Sequence, residues 1–308
     1  MQHIRDLNEV KLDRSWLTIG SFDGVHLGHK QIILSLVEGA KQAGVPSVVV
    51  TFFPHPQFIL RGESRPYYLT LPEKRAQLLA ELGVDFVFTY PFDQRISQLT
   101  AKEFISNLFE DFHFNDLLIG YDFALGKDRE GDSSHLQIIG KELGYAVRVV
   151  PPHKVSGELV SSSRIRGLIR EGDVRFANTL LGREFSINGC VIKGDNRGKT
   201  LGFATCNLEV HSEVVDIKPG VYASRGLVEG KLWRAVTNIG FRPTFGQDLS
   251  TPRIEAHLLD FSGDLYGQDL ELFFVDHLRD EMKFSEVDAL IAQIEQDVGQ
   301  TRRILNQK

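Results

Sequence analysis

The stretch Leu17–Lys30, LTIGSFDGVHLGHK, decides the fold predicted for the first half of the chain. Its first three residues are typical of the end of a short buried strand. The residues from Lys30 to Ala43 carry an apolar stripe at helical spacing. Gly20 and Gly24 lie between these two patterns. The stretch therefore predicts a strand, a glycine-containing loop and the start of a helix.

Two histidines, His26 and His29, lie on either side of Gly28 where this helix is predicted to begin. The first turn of a helix has backbone N–H groups without helical partners, which bind anions. Gly28 would let a ligand approach the backbone, and the imidazoles would add hydrogen-bond donors. This combination favours a nucleoside triphosphate. Two surface histidines near a turn, or half of a zinc site, are the alternatives, and no Cys or carboxylate cluster at ligand spacing supports zinc.

Composition limits the classes of function. The chain has 308 residues, of which 42% are hydrophobic and 25% charged, and this predicts an ordinary globular protein of two domains. A formal net charge of −6 disfavours general binding to nucleic acid or to an anionic membrane. Cys190 and Cys206 provide no disulfide framework. With no signal peptide or membrane-spanning run recognised, the sequence predicts a cytoplasmic protein.

Strands and helices are predicted to alternate as far as about residue 180, with strands at residues 17–19, 47–53, 84–90, 117–120 and 145–150. This alternation favours a parallel sheet with crossover helices, which binds ligands at the carboxyl ends of its strands. Thr70 with Glu73, and Thr100 with Glu103, match the T-x-x-E capping box and are predicted to begin two helices.

Three further segments of the first half carry polar side chains. His55 follows the second strand in a PHP turn, and Asp122 follows the fourth in the glycine-rich segment GYDFALGKDREGD, residues 120–132. The third segment, VSSSRIRGLIR at residues 160–170, places serines and arginines at the start of a predicted helix. Serines can cap a helix, but arginines there oppose its dipole. Guanidinium groups in that position are favoured if phosphate binds nearby.

The string GSFDGVHLGH at residues 20–29 resembles the HxGH signature of the nucleotidyltransferase superfamily. Its FDGVH portion is similar to the form that this signature takes in the flavin-adenylylating branch. Residues 160–166 are similar to the ISSTxxR motif that accompanies it, with Ser163 in place of Thr, and residues 120–132 are similar to a pocket segment of the same enzymes. The resemblance implies catalysis by His26, His29 and Arg166, and flavin contacts from His55 and Asp122. It implies ATP binding by Gly20, Phe22, Asp23, His26, Gly28, His29, Ser162, Ser163 and Arg166.

From Ser186 the pattern changes to short alternating segments separated by turn residues. These predict a small antiparallel β-barrel, followed by a helix from about Ser285 with one apolar face. The predicted architecture is therefore an α/β Rossmann-like domain, residues 1–182, and a β-barrel domain with a C-terminal helix, residues 183–308.

The segment GDNRGKTLGFATCNL, residues 194–208, combines glycines, a basic pair, a hydroxyl and an amide. Such a segment can bind phosphates and Mg²⁺, although a polar hairpin loop is the simpler interpretation. It resembles the riboflavin kinase motif that ends GFPTANL, with Ala204 and Cys206 in place of Pro and Ala. The resemblance implies Mg²⁺ binding by Thr205 and Asn207, and ATP binding by Gly194, Lys199, Gly202 and Thr205.

The segment RIEAHLLDF, residues 253–261, alternates between apolar and polar side chains, which predicts a strand with Glu255 on its polar face. A solvated face is the simple interpretation. The segment is also similar to the ETHLLDF-like motif of riboflavin kinases, and this resemblance implies that Glu255 is the catalytic base. By the same resemblance, Arg279 and Phe284 belong to the flavin pocket.

Together these motifs resemble the prokaryotic bifunctional riboflavin kinase/FMN adenylyltransferases from about residue 15 to the end. The resemblance implies phosphorylation of riboflavin to FMN by the second domain and adenylyl transfer from ATP to FMN by the first. The expected partners are ATP, riboflavin, FMN and Mg²⁺, with no nucleic acid and no membrane, and the oligomeric state stays open. Two alternatives remain: a nucleotidyltransferase for another acceptor, such as a cytidylyltransferase, and a flavin or nucleotide sensor without turnover.

Overall fold

The computed structural model describes residues 1–7, 10–62, 67–194, 202–240 and 253–306. They form two compact units. The first comprises the described residues of 1–65 and 70–162, and the second those of 66–69 and 163–308. The division after Ser162 precedes the boundary predicted at 182/183, which stays a prediction.

The first unit contains a six-stranded sheet in the order β1-β4-β3-β2-β5-β6, and all neighbouring strands are parallel. The strands are β1 Gln2–Ile4, β2 Ser15–Ile19, β3 Ser47–Phe53, β4 Phe86–Pro91, β5 Phe114–Gly120 and β6 Ala146–Val150. The predicted parallel sheet is confirmed. Strand β1 was not predicted, because an edge strand of three residues with one buried side chain has no readable period.

Helices lie on both faces of this sheet, and the helices of this unit are α1 Leu27–Ala43, α2 Pro56–Arg61, α3 Pro72–Glu81, α4 Ala101–Phe112 and α5 Ser133–Leu143. Helices α1 and α3 contribute to one buried cluster, with Val49 of β3. Helices α4 and α5 contribute to the other, with Val48 and Val50. Adjacent residues of one strand thus face different cores, which explains why β3 is apolar throughout. A short pair, β7 Lys154–Val155 and β8 Glu158–Leu159, follows the sheet.

One of the two predicted capping boxes is present. Thr100 Oγ1 accepts a hydrogen bond from the Glu103 N–H at 3.2 Å, and the Glu103 carboxylate accepts one from the Thr100 N–H at 2.8 Å. The box predicted at Thr70 is wrong, because α3 begins at Pro72 after Leu71. Thr70 Oγ1 instead accepts a hydrogen bond from the Gly24 N–H at 2.9 Å, so a tertiary contact replaces the local one.

The second unit contains helix α7 Val174–Leu181 and all of helix α6 Ser162–Glu171 except its first residue, Ser162. Its main element is a closed antiparallel barrel in the order β10-β13-β12-β11-β14-β9, as predicted. The strands are β9 Phe185–Ile192, β10 Cys206–Val210, β11 Gly220–Val228, β12 Lys231–Gly240, β13 Arg253–Leu258 and β14 Asp269–Arg279, and helix α8 Val287–Asn306 follows the barrel. No helix in the described part of the chain has the length and apolar character needed to cross a membrane.

Candidate active sites

The loop between β2 and α1 lies where the order of the first sheet reverses, because β3 and β5 lie on opposite sides of β2. Ligands bind at this point in open α/β sheets. Phe22 and Val25 have φ angles of 44° and 39°, and Gly24 has a φ of 82°. Non-glycine residues rarely adopt such backbone, and residues that do so cluster at functional sites. A Cβ at Gly20 would lie 3.0 Å from the Phe22 ring, so the ring packs closely against this glycine.

A buried ion pair holds this loop in place. The Asp23 side chain is fully buried and accepts hydrogen bonds from the Thr70 N–H at 2.9 Å and the Thr70 hydroxyl at 3.2 Å. Its Oδ1 lies 3.6 Å from Nη2 of Arg75, which is also fully buried. Arg75 in turn donates to Thr51 Oγ1 and to the Thr70 carbonyl, each at 2.9 Å. The contacts of Asp23 fix the conformation of the loop.

Replacing Arg75 by leucine is expected to lower the free energy of unfolding by about 3–5 kcal/mol, because it removes one charge of a buried ion pair with Asp23. Urea denaturation of the full chain measures this change. The matched control is Arg95→Leu, which removes a surface pair with Asp93 whose side chains are 88% and 45% exposed. That change should cost no more than about 1 kcal/mol. Equal costs for the two variants would contradict the role given to Arg75.

The two histidines of the loop form a stacked pair at the start of α1. His26 is the N-cap, and its Nδ1 accepts a hydrogen bond from the His29 N–H at 3.2 Å. A neutral His26 therefore carries its proton on Nε2, which can donate to a phosphate oxygen. The ring centroids lie 3.6 Å apart with an interplanar angle of 17°. A Cβ at Gly28 would lie 3.2 Å from His26 Cε1, so Gly28 accommodates this ring.

The predicted serine–arginine motif forms the first turns of α6. The Ser162 hydroxyl donates to the Asp23 carbonyl at 2.8 Å, which links the first residue of this helix to the histidine loop. Ser163 is exposed in the first turn, whereas Arg166 is only 4% exposed. The Arg166 Nε donates to the Tyr67 carbonyl at 2.9 Å, and the guanidinium lies 3.6 Å from the Tyr67 ring centroid. Sequence reasoning missed Tyr67, since no motif marks it.

The two flavin-binding residues predicted in the first unit follow β3 and β5, the two strands on either side of β2. His55 is the N-cap of α2, and its Nδ1 accepts a hydrogen bond from the Gln57 N–H at 3.2 Å. Asp122 is exposed two residues after β5, and its backbone carbonyl accepts a hydrogen bond from Arg129 at 3.2 Å. Helix capping accounts for the contact of His55, and the flavin contacts of both residues stay predictions.

In the second unit, the barrel register brings three polar residues side by side. Glu255 of β13 lies opposite Asn207 of β10 on one side and Asn238 of β12 on the other. Directly opposite residues of antiparallel strands share a face. The alternate residues of β13 are buried, as predicted, so Glu255 belongs to the outer face of the barrel. Its carboxylate is 27% exposed and lies 3.4 Å from Nε of Arg253.

Asn207 belongs to that outer face, yet it is only 6% exposed. Gly194 covers it so closely that a Cβ there would lie 2.0 Å from Asn207 Nδ2. The Asn207 Oδ1 is buried without a hydrogen-bond partner among the described residues. A buried amide oxygen of this kind, in register with a carboxylate, is suited to a hard cation such as Mg²⁺. The residues present therefore fit a magnesium ion.

The structure describes some, but not all, of the other residues predicted to bind phosphate in the segment 194–208. Gly202 has a φ of 86°, and Thr205 is half-buried immediately before β10. Lys199 lies outside the described residues. The Cys206 thiol, which replaces an alanine of the kinase motif, donates to the Ala256 carbonyl at 3.2 Å, and burial raises its pKa to about 11. This side chain is a protonated thiol at neutral pH.

Arg279, predicted to contact flavin, has a carboxylate partner. Its Nε lies 3.1 Å from both oxygens of Asp297 in α8, and its Nη2 lies 2.8 Å from one of them. Asp297 is 3% exposed and also accepts a hydrogen bond from Gln293 at 2.9 Å. Asp297 was missed, although an acidic residue on the apolar stripe of a predicted helix is a readable signal of a buried pair. Phe284 is half-buried between β14 and α8, and both flavin contacts stay predictions.

Sequence comparisons with known proteins agree on both halves. The sequence model of the FAD synthetase family matches residues 9–164, and that of the riboflavin kinase family matches residues 181–305. The chain is 36% identical to a Listeria monocytogenes protein over 96% of this chain and 92% of that one. It is 38% identical to a Pseudomonas fluorescens protein over 99% and 98%. Both are named bifunctional riboflavin kinase/FMN adenylyltransferase. A Streptococcus pneumoniae structure titled macrolide-efflux protein has a TM-score of 0.89 and 28% identity, covering 98% of each chain.

Proposed function

The chain belongs to the family of bifunctional riboflavin kinase/FMN adenylyltransferases, and we propose how its own residues divide the two reactions. It phosphorylates riboflavin with ATP to give FMN, and it transfers AMP from ATP to FMN to give FAD and pyrophosphate. We assign adenylyl transfer to residues 1–182 and the kinase to residues 183–308. The observation that carries this assignment is the stacked histidine pair at the switch point of the first sheet, together with the Glu255–Asn207 register in the barrel.

Adenylyl transfer needs alignment and charge neutralisation rather than a base, because the attacking phosphate of FMN is already an anion. His26 Nε2, the His29 ring and the backbone N–H groups of Leu27 and Gly28 donate hydrogen bonds to the ATP phosphates. Asp23 acts by holding the loop, since its carboxylate is buried against Thr70 and Arg75. By the resemblance of their motifs, the following residues complete the binding of ATP and flavin: Gly20, Phe22, Gly28, Ser162, Ser163, Arg166, His55 and Asp122.

Riboflavin phosphorylation does need a proton acceptor, because a primary alcohol attacks the γ-phosphate. Glu255 orients the ribityl hydroxyl and accepts its proton. Mg²⁺, when bound, neutralises the phosphate oxygens of ATP, and Asn207 and Thr205 would hold it. Gly194, Lys199, Gly202 and Thr205 contact those phosphates, and Arg279 and Phe284 border the flavin.

Replacing Asn207 by alanine is expected to raise the Mg²⁺ concentration for half-maximal kinase activity by about tenfold or more. The reason is the loss of the buried amide oxygen that would bind the ion. Titrating Mg²⁺ at fixed ATP in a riboflavin phosphorylation assay measures the shift. The matched control is Asn188→Ala, which changes an exposed residue of β9. If Asn207→Ala shows the Mg²⁺ dependence of the original chain, Asn207 does not hold the metal.

The activity itself is tested with purified full-length chain, riboflavin, ATP and Mg²⁺, with flavins separated by chromatography over time. FMN should appear before FAD, and FMN supplied alone should yield FAD and pyrophosphate. Conversion of FMN without conversion of riboflavin would show that the kinase is lost. Flavin binding without conversion of either substrate would contradict an enzymatic function and favour a flavin or nucleotide sensor. Turnover of ATP with another acceptor, but not with FMN, would favour the other nucleotidyltransferases.

A cytoplasmic location is the remaining part of this proposal. Cys190 and Cys206 are both free thiols, which agrees with a reducing compartment. ATP, the donor in both reactions, is supplied in that compartment. Cell fractionation followed by detection of a tag on the full-length chain measures where the protein resides. Recovery of the tag outside the cytoplasm would contradict the proposed location.

A further inference from the structure

Tyr67 holds the guanidinium of Arg166 in two ways. Its backbone carbonyl accepts a hydrogen bond from Arg166 Nε at 2.9 Å, and its ring centroid lies 3.6 Å from the guanidinium carbon. The carbonyl fixes one edge of the planar group, and the ring fixes one face. Both contacts attract a cation without removing its positive charge. The plane of the Arg166 guanidinium therefore follows the position of Tyr67.

Tyr67 is itself anchored by the segment that follows β10. The N–H groups of Tyr67 and Tyr68 both donate to the Glu213 carbonyl at 2.8 Å, and the Tyr68 carbonyl accepts from the Val215 N–H at 2.9 Å. Tyr68 is fully buried, and Tyr68 and Val214 form a parallel β-bridge. Residues 67–69 therefore belong to the second unit, although the chain around them belongs to the first. These contacts hold the Tyr67 backbone against residues 213–215.

We infer that Tyr67 is a positioning residue for adenylyl transfer, which acts by fixing the orientation of Arg166. The inference rests on the proposed role of Arg166 in that reaction. An arginine binds phosphate through two terminal nitrogens in one plane, so the strength of these hydrogen bonds depends on the orientation of that plane. A displacement of about 1 Å in such a group can cost up to about 10²-fold in rate. Tyr67 needs no contact with ATP or FMN for this role.

The test uses two substitutions of Tyr67 in the full chain. Tyr67→Phe keeps the ring and the carbonyl, whereas Tyr67→Leu keeps bulk but removes the π face. We expect Tyr67→Leu to lower kcat for FMN adenylylation by about two- to thirtyfold, with KM for FMN unchanged. Tyr67→Phe should retain the original rate. Tyr266→Leu, at another tyrosine of the second unit, is the matched control. Riboflavin phosphorylation and the thermal midpoint of each variant report on folding.

Arg166→Ala and the double variant Tyr67→Leu/Arg166→Ala separate this inference from the function on which it rests. If Tyr67 acts through Arg166, leucine at 67 should cost nothing further once Arg166 is alanine. An Arg166→Ala chain with the original adenylylation rate would overturn the role of Arg166. A slow Arg166→Ala chain beside a fully active Tyr67→Leu chain would overturn the inference alone. If Tyr67→Leu lowers both activities to the same degree and also lowers the thermal midpoint, the inference would be overturned, since Tyr67 would then act only by stabilising the fold.

Discussion

Replacing Glu255 by glutamine is expected to slow riboflavin phosphorylation by about 10²–10⁴-fold, with FMN adenylylation unchanged. Glutamine has the same shape as glutamate but cannot accept the proton of the ribityl hydroxyl. The side chain should keep its place, because its backbone pairs with β10 and β12 at the centre of the barrel wall. The loss is therefore expected in kcat rather than in the KM for riboflavin.

Initial rates of FMN formation at saturating ATP and Mg²⁺ measure this effect. Glu209→Gln is the matched control, because Glu209 is an exposed glutamate two residues after Asn207 in β10. That variant should keep the original rate. FAD formation from added FMN reports in both variants whether the chain is folded. A Glu255→Gln chain that phosphorylates riboflavin at the original rate would show that another group accepts the proton.

Replacing His29 by alanine is expected to lower the rate of FAD formation from FMN by about 10²–10³-fold, with riboflavin phosphorylation unchanged. The substitution removes a ring that would stabilise charge on the phosphates. The start of α1 should be retained, because His26 Nδ1 bonds to the backbone N–H of residue 29, which alanine keeps. The measured quantity is pyrophosphate release with FMN and ATP.

The chain offers a closely matched control for His29. His135 occupies the same position of α5, three residues after the N-cap Asp132, whose side chain accepts a hydrogen bond from the His135 N–H at 2.9 Å. His135→Ala should leave both activities unchanged. If both histidine variants lose FAD formation to the same degree, the loss comes from disturbing the first turn of a helix. The role proposed for His29 would then be wrong.

Local patterns predicted the features that depend on neighbours in sequence. The strand, glycines and helix around His26 located the histidine loop, and alternation along β13 placed Glu255 on the outer face. The capping box at Thr100 was also readable. At Thr70 the same local pattern failed, because the hydroxyl bonds to the loop before α1.

The supports of the candidate sites could not be predicted in this way. Arg75 contacts Asp23 across about 50 residues of sequence, and Tyr67 contacts Arg166 across about 100. Such pairs depend on how separate elements pack, and no spacing rule of one helix or strand contains that information. Buried arginine is also uncommon, so Arg75 in an amphipathic helix predicts a solvated side chain until its neighbours are known.

The anchoring of Tyr67 on Glu213 and Val215 has a consequence for synthesis on the ribosome. Tyr67 leaves the ribosome about 150 residues before its partners, a delay on the order of ten seconds at typical elongation rates. During that interval, strands β1 to β6 can already pair, since every strand of their sheet precedes residue 151. The support of Arg166 therefore forms late in translation, when residues 213–215 have emerged.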